Sequence, residues 1–504
     1  MSNILHKLFG STPGDGELQP KEGLSYSICG FGQNIICTII GSYLTIFMTD
    51  AIGFSALAVA FLMLGARVFD AMNDPIMGSI VDRTRTKWGK CRPFLKWMAF
   101  PIAAMTVICF LPWYPNSTGG FVAISIMYII WGMIYTVADV PYWGLSTAMS
   151  NDTYRRGNLL TIARLFCTAG AGIVTILVPI ITDNVTANLT SPAEIAEKLR
   201  MTYFIITLIC VVLATPLFFV GFKNTLERNQ SEENPPSLKH NLQLLFKNKP
   251  LMLIVLSGIG GAARMLFTYT GGLYFAKYVM GRESMYALLT MAIVPGGLIA
   301  SLLVPFFTKK IGKRKTYIFS HIVGGIAMLV AFIVGIAFDH GDYSSGVTIA
   351  VLIVALVIAG IPTGFGNILT YAMIGDTVEY LELKTGERAE GICFAMQTLI
   401  NKIGMAVGAF IGVLAYYMAG IEANDMASVS AAGKDTMWFM LVGLAALSFF
   451  LTIIPLFFYK FNEKEQQEAV ALIAEKKAAA ANGAMDIASQ SGVEIPTDVE
   501  NTEE

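Results

Sequence analysis

The sequence predicts an all-α polytopic membrane protein of twelve transmembrane helices in two six-helix halves, and three observations carry that prediction. Of 504 residues, 55% are hydrophobic and 14% charged, with a mean hydropathy of +0.60, which is more apolar surface than soluble cores can hide. Apolar segments long enough for a helix to cross roughly 30 Å of hydrocarbon recur along the chain. Basic residues collect in alternate loops, as the topology of a polytopic chain requires.

Residues 1–22 contain Lys7, Pro13, Gly14, Gly16 and Pro20 without a long apolar run, so they read as a cytoplasmic N-terminus and not as a cleaved signal. The apolar segments follow at about 24–49, 55–81, 94–113, 121–147, 158–181, 201–221, 250–278, 285–307, 315–338, 347–374, 391–418 and 436–459. They divide into an N-terminal six-helix bundle at 23–222 and a C-terminal one at 250–460, joined by a cytoplasmic linker at 223–249 that contains NPPS at 234–237. A cytoplasmic tail at 461–504 begins with NEKEQQEAVALIAEKKAAAA, suited to one helix, and ends acidic and disordered.

Orientation follows from the short loops. Arg83, Arg85, Lys87, Lys90, Arg92 and Lys96 follow the second segment, Arg155 and Arg156 the fourth, and Lys309, Lys310, Lys313, Arg314 and Lys315 the eighth. The loops near Asp50 and at 115–120 and 339–346 hold no Lys or Arg, and Lys198, Arg200, Lys277, Arg282 and Lys434 on that side are outnumbered. Both termini are therefore expected in the cytoplasm. The basic turns at Gly89 and Gly312 hold equivalent places in the two halves, the mark of a duplicated transporter with its site between the repeats. A net charge of -1 and a pI near 6.5 give no support to nucleic-acid binding. The seven cysteines lack metal-ligand spacing and read as packing residues, with no disulfide framework expected.

The second segment organises the rest. Arg67, Asp70 and Asp74 lie within roughly 60° of one another around a helix, in the middle of a bilayer-length run. A charge at that depth is costly, so this face looks into protein or a water-filled cavity. On the fourth segment Asp139 and Trp143 are one turn apart, with Thr136 a turn earlier. An indole and a carboxylate on one face suit a sugar, whose C–H face packs on an aromatic ring while its hydroxyls need directional partners. Arg164, Arg264 and Lys402 are further cations inside segments.

RVFDAMNDPIMGSIVDRTRTKWGKCRPF resembles the signature of the glycoside–pentoside–hexuronide:cation symporter family, within the major facilitator superfamily. Asp139-Val-Pro-Tyr-Trp143 is similar to the family's D-x-P-x-W, Arg164 stands where the family keeps an arginine, and GDTVEYLELKTGER and QTLINKIG, with Gln397, Thr398 and Lys402, follow in order over about residues 24 to 460. The resemblance implies the major facilitator fold, residence in the bacterial inner membrane, and symport of a glycoside, pentoside or hexuronide with Na+ or H+. In the melibiose-transporting members it places the cation at the positions of Asp70 and Asp74, helped by those of Asn73, Thr136 and Lys402. The sugar falls to the positions of Asp139, Trp143 and Arg164, with a first-helix Lys-Asp pair. Here that pair is Gln33 and Asn34, and Asn367 stands for an aromatic residue, so the site departs from a melibiose site.

Paired carboxylates a turn apart serve either cation, and the neutral oxygens of Asn73 and Thr136 lean toward sodium. The bland reading of Arg67, Asp70 and Asp74 is a set of structural ion pairs. Arg67, Arg164, Arg264 and Lys402 outnumber Asp70, Asp74 and Asp139 inside the segments, which matches an anionic substrate such as a glucuronide better than a site that keeps a first-helix aspartate would, with neutral β-glycosides or xylosides as the alternative. Substrate contacts are thus expected from Asn34, Asp139, Trp143, Arg164, Arg264, Gln397, Thr398 and Lys402. Arg85 and Lys90 are expected to pair with Asp376 and Glu379 as a gate between the halves, against a plain topological role. His321 reads as a packed residue rather than a proton relay. Beyond the cation no cofactor is expected, and nothing demands more than a monomer. A sugar sensor, a membrane enzyme on lipid-linked sugars and a carrier of another organic solute are the alternatives. The short tail lacks an output domain, and no nucleophile elbow or metal cluster supports an enzyme.

Overall fold

A computed structural model describes residue 9 and residues 18–150, 153–228, 238–268, 270–387 and 390–476; Lys7, Pro13, Gly14 and Gly16, NPPS at 234–237, Tyr269 and the acidic tail end lie outside them. Among the described residues there is no strand. The helices are α1 (Pro20–Ile52), α2 (Ala56–Arg83), α3 (Arg92–Cys109), α4 (Thr118–Met149), α5 (Thr153–Thr186) and α6 (Pro192–Asn224). A short α7 (Leu238–Lys247) precedes α8 (Lys249–Gly260), α9 (Thr270–Tyr278), α10 (Met285–Ile311), α11 (Lys313–Phe338), α12 (Gly346–Thr385), α13 (Glu390–Met418) and α14 (Ala431–Phe457), and α15 covers 463–476.

Local chemistry sets the ends. Ser117, Asn248, Ser345 and Ser430 each accept a bond from a backbone N–H three residues on, satisfying donors that a helix start leaves open. Nine of the described helices are long and apolar enough to cross a membrane. The remaining three expected spans differ for visible reasons: α2 carries Arg67, Asp70 and Asp74, α3 is 18 residues long and opens with Arg92 and Lys96, and the seventh is broken. There α8 ends at Gly260, a 3-10 turn covers Ala262–Met265, and α9 restarts at Thr270. Gly260 and Gly261 favour the break, since two successive glycines gain no side-chain packing and lose the most backbone freedom in a helix.

The helices pack in two sets. In the first, α1 lies against α5 and α6, and α3 against α4 and α6; in the second, α12 holds α10 and α11, and α14 packs on α8 and α11. Between the sets α2 meets α13 and α5 meets α10, contacts that a duplication would exchange. The same clasp also closes each set. Glu227, just after α6, accepts the backbone N–H groups of Lys90, Cys91 and Arg92, all at 2.8 Å, beyond Gly89 at φ 102°. Glu463, just after α14, accepts that of Lys313 at 2.5 Å, beyond Gly312 at φ 83°. Arg92 reaches the Phe222 carbonyl at 2.7 Å, and Arg314 reaches that of Phe457 at 2.9 Å. Basic turns that in sequence read as topological signals are thus also helix starts capped by a carboxylate.

Candidate functional site

Helix α2 presents Asp70 and Asp74 to different partners. Arg67, one turn back, donates to Asp70 Oδ2 at 3.3 Å, and Asp70 is 7% exposed. It fits because α4 has Gly132 opposite: a Cβ there would stand 2.7 Å from Asp70 Oδ1. Thr136, one turn further along α4, is buried, and Asn73 is half-buried on α2. Asp74 pairs across the two sets with Lys402 of α13, while its Oδ1 is buried and has no hydrogen-bond partner among the described residues. One lysine therefore ties α2 to α13 through a carboxylate that keeps an open acceptor.

A second cluster lies on α1, α4 and α5. Gln33 Nε2 donates to Asp139 Oδ1 at 2.6 Å, and the Trp143 indole N–H donates to the same oxygen at 3.2 Å. The Arg164 guanidinium lies 4.1 Å above the Trp143 ring, in cation–π contact, and makes no ion pair among the described residues. Trp143 is itself held edge-on by Tyr142, whose ring stacks on Tyr26 at 4.5 Å between centroids. Asp139 thus aims one oxygen at two donors beside a fixed aromatic surface. Such a surface can hold a pyranose ring and orient its hydroxyls.

The other expected contacts are placed differently. Asn34 turns back to the Gly30 carbonyl at 3.0 Å, so its neighbour Gln33 reaches Asp139. Gln33 is 1% exposed, and its Oε1 is buried without a partner among the described residues. Sequence reasoning noted the pair but chose Asn34; what separates them is which face of α1 meets α4, a matter of packing. Gln397 Nε2 donates to Asn401 at 3.3 Å and its Oε1 is buried without a partner among the described residues, while Thr398 is exposed. Arg264 sits in the broken helix and donates to the Gly261 carbonyl at 3.0 Å. Gly261 leaves room for it, since a Cβ there would stand 2.3 Å from both Arg264 Nη1 and Thr452 Oγ1. Among the described residues Arg264 has no carboxylate partner, and Arg264, Gln397 and Thr398 share no hydrogen bond with the two clusters.

Of the expected gate, Asp376 takes Lys313 at 2.6 Å and Glu379 takes Gln466 at 2.6 Å, both within the C-terminal set. The Arg85 side chain bonds the adjacent Thr84 carbonyl at 3.1 Å, and the Lys90 backbone goes to Glu227. His321 is fully buried and stacks on Tyr317 at 4.2 Å. All seven cysteines are buried or half-buried.

Comparison with known proteins agrees with this architecture. Residues 25–463 match the family described as MFS/sugar transport protein. The chain is 31% identical to the isoprimeverose transporter of Lactiplantibacillus pentosus, over 92% of this chain and 93% of that protein. It is 28% identical to the glucuronide carrier protein homolog of Escherichia coli (strain K12), over 90% and 95% respectively. A crystal structure of a D-xylose-proton symporter superposes with a TM-score of 0.55 at 14% identity, covering 88% of this chain and 97% of that one, a likeness of fold. The chain is a multi-pass membrane transporter rather than an enzyme, and it belongs to the MFS/sugar transport protein family, the glycoside–pentoside–hexuronide type of the major facilitator superfamily.

Proposed function

We propose that this protein couples entry of a monovalent cation, Na+ or H+, to uptake of a glycoside, pentoside or hexuronide by alternating access. The observation that carries the proposal is the pairing of Asp74 with Lys402 across the two helix sets. A coupling cation at Asp70 and Asp74, assisted by Asn73 and Thr136, competes with Lys402 for the Asp74 carboxylate. Binding therefore frees the ammonium group and loosens the tie between α2 and α13, so cation occupancy and cavity shape are linked. By reciprocity, a sugar that prefers the loosened arrangement tightens cation binding. In the cation-free protein Lys402 neutralises Asp74, which lowers the cost of moving the empty site between its two exposures. The sugar lies against Trp143, with Asp139 accepting from its hydroxyls and Gln33 holding that carboxylate in place.

The same reading gives two bundles at 23–222 and 250–460, twelve spans, and a monomer in the cell inner membrane with both termini cytoplasmic. The basic loops support that orientation. Within the substrate class, Arg164 and Arg264 stand without carboxylate partners among the described residues, which favours a substrate that carries its own anion. Gating by Arg85 and Lys90 against Asp376 and Glu379 belongs to the opposite conformation, in which Lys313 and Gln466 release those carboxylates.

The test is uptake of labelled methyl glucoside, methyl xyloside and phenyl glucuronide into vesicles under separately imposed sodium and proton gradients, with Asp74→Cys as control. Uptake driven by one gradient and lost in the control is expected, and it names the cation. Uptake that ignores both gradients would sink the coupling reading.

A further inference from the structure

The end of the bundle far from the termini is closed by charges that sequence reasoning left as loop residues. Helix α1 finishes there in a π-helical stretch, Phe47–Ile52, stopped by Gly53 at φ 89°. Inside it Asp50 is 1% exposed. Lys277 of α9 donates to Asp50 Oδ2 at 2.5 Å, and the Tyr278 hydroxyl donates to the same oxygen at 2.6 Å. Asn424, between α13 and α14, completes the clasp: its Oδ1 accepts from Lys277 at 3.0 Å, its Nδ2 donates to the Asp50 carbonyl at 2.7 Å, and its backbone N–H donates to the Tyr278 hydroxyl at 3.0 Å. Next to Asp50, Thr49 bonds Tyr274, one helical turn before Tyr278, at 2.6 Å. Asp50 and Thr49 come from the N-terminal set, and every partner named comes from the C-terminal set.

We infer that Asp50 and Lys277, clasped by Tyr278 and Asn424, are a matched latch that seals the distal mouth and sets the balance between its closed and open states. The argument is one of solvation. A buried ion pair with its remaining donors and acceptors filled gains little over two hydrated charges, so closing and opening stay nearly balanced and the latch is reversible. One charge left alone in the closed mouth has no such compensation, yet it is hydrated once the mouth opens. Loss of either partner therefore drives the mouth open, whereas loss of both removes the penalty and restores closure. Tyr278 and Thr49 lower the cost further by donating to the Asp50 carboxylate beside the ammonium, and Asn424 does so by accepting from Lys277. The idea rests on the alternating-access reading, but its test needs no substrate.

The experiment reads exposure of a cysteine behind the latch. Thr45, fully buried on α1 and 3.5 Å from Thr270, is replaced (Thr45→Cys). The chain is labelled with a membrane-impermeant maleimide in right-side-out and in inside-out vesicles, and the same chains with Thr45 retained give the background. Slow labelling is expected with the latch intact, and labelling at least about fivefold faster in Asp50→Asn or in Lys277→Met. Asp50→Asn/Lys277→Met and the swap Asp50→Lys/Lys277→Asp are expected to fall back within about twofold of the parent. Unchanged labelling in the single variants, or a double variant as fast as the faster single one, would overturn the latch. Should a single variant fail to reach the membrane, Tyr278→Phe, which removes one donor only, is expected to label about twice as fast; no change there counts against the proposal. A response seen only in inside-out vesicles would keep the latch and reverse the proposed orientation.

Discussion

At the residue scale the site is defined by which polar atoms have partners. Asp139 is met by Gln33 and Trp143, and Asp74 by Lys402, yet Gln33 Oε1, Asp74 Oδ1 and Gln397 Oε1 are buried without one among the described residues. A buried acceptor left open costs about 1–3 kcal/mol, and a site that binds solutes recovers that cost when the solute arrives. Arg164 and Arg264, without carboxylate partners among the described residues, follow the same logic. Arg264→Ala is expected to lower kcat/KM for phenyl glucuronide at least about tenfold while leaving methyl glucoside within about twofold, because a charge-assisted bond is lost only with the anionic sugar. Equal losses for both substrates would remove Arg264 from carboxylate recognition.

At the element scale the duplicated clasp converts a weak repeat in letters into a specific structural statement. Gly89 and Gly312 both take a positive φ, and the N–H groups that follow go to a glutamate from the end of the same set, three to Glu227 and that of Lys313 to Glu463. A Cβ on Gly89 would stand 2.3 Å from the Glu227 carboxyl carbon, so side-chain volume and φ both demand glycine. Three bonds to one carboxylate at the start of α3 are worth about 2 kcal/mol. Glu227→Ala is therefore expected to lower the thermal midpoint of the detergent-solubilised protein by several degrees, and Glu227→Gln by less. An unchanged midpoint in both would show the clasp to be energetically idle.

At the scale of the whole molecule, a second seam beside the latch links closure to pH. Glu283, between α9 and α10, is 3% exposed; its backbone N–H donates to Asp183 at 3.0 Å, and its carboxylate accepts from Tyr203 at 3.1 Å. Burial pushes its carboxyl from the ordinary 4.5 up to about 7, with nearby Asp183 raising it further and Lys277, Thr182 and Tyr203 opposing. A proton bound more tightly in the closed mouth stabilises closure. That contribution is fully present below the ordinary value and is lost as pH rises through about 7, about 3 kcal/mol in all. Labelling at Thr45→Cys, normalised to the reagent's rate on a free thiol, is expected to be at least about tenfold faster at pH 8 than at pH 5.5, and flat with pH in Glu283→Gln. A pH response that survives in Glu283→Gln would assign it to another group.

The sequence by itself determined the membrane class, the family and the chemical inventory, because each is written in local terms: runs of apolar residues, basic turns, and motifs such as DVPYW and QTLINKIG whose order is visible in one dimension. It also picked out Asp74 with Lys402, and Asp139 with Trp143 and Arg164, although only the folded chain put those groups in contact. Tertiary structure alone decided that Gln33 rather than Asn34 reaches Asp139 and that Asp50 and Lys277 meet in a closed mouth. The physical reason is common to both. A side chain's role at depth depends on which neighbour desolvates it, and residues a hundred or more positions apart become neighbours only through packing of the helices.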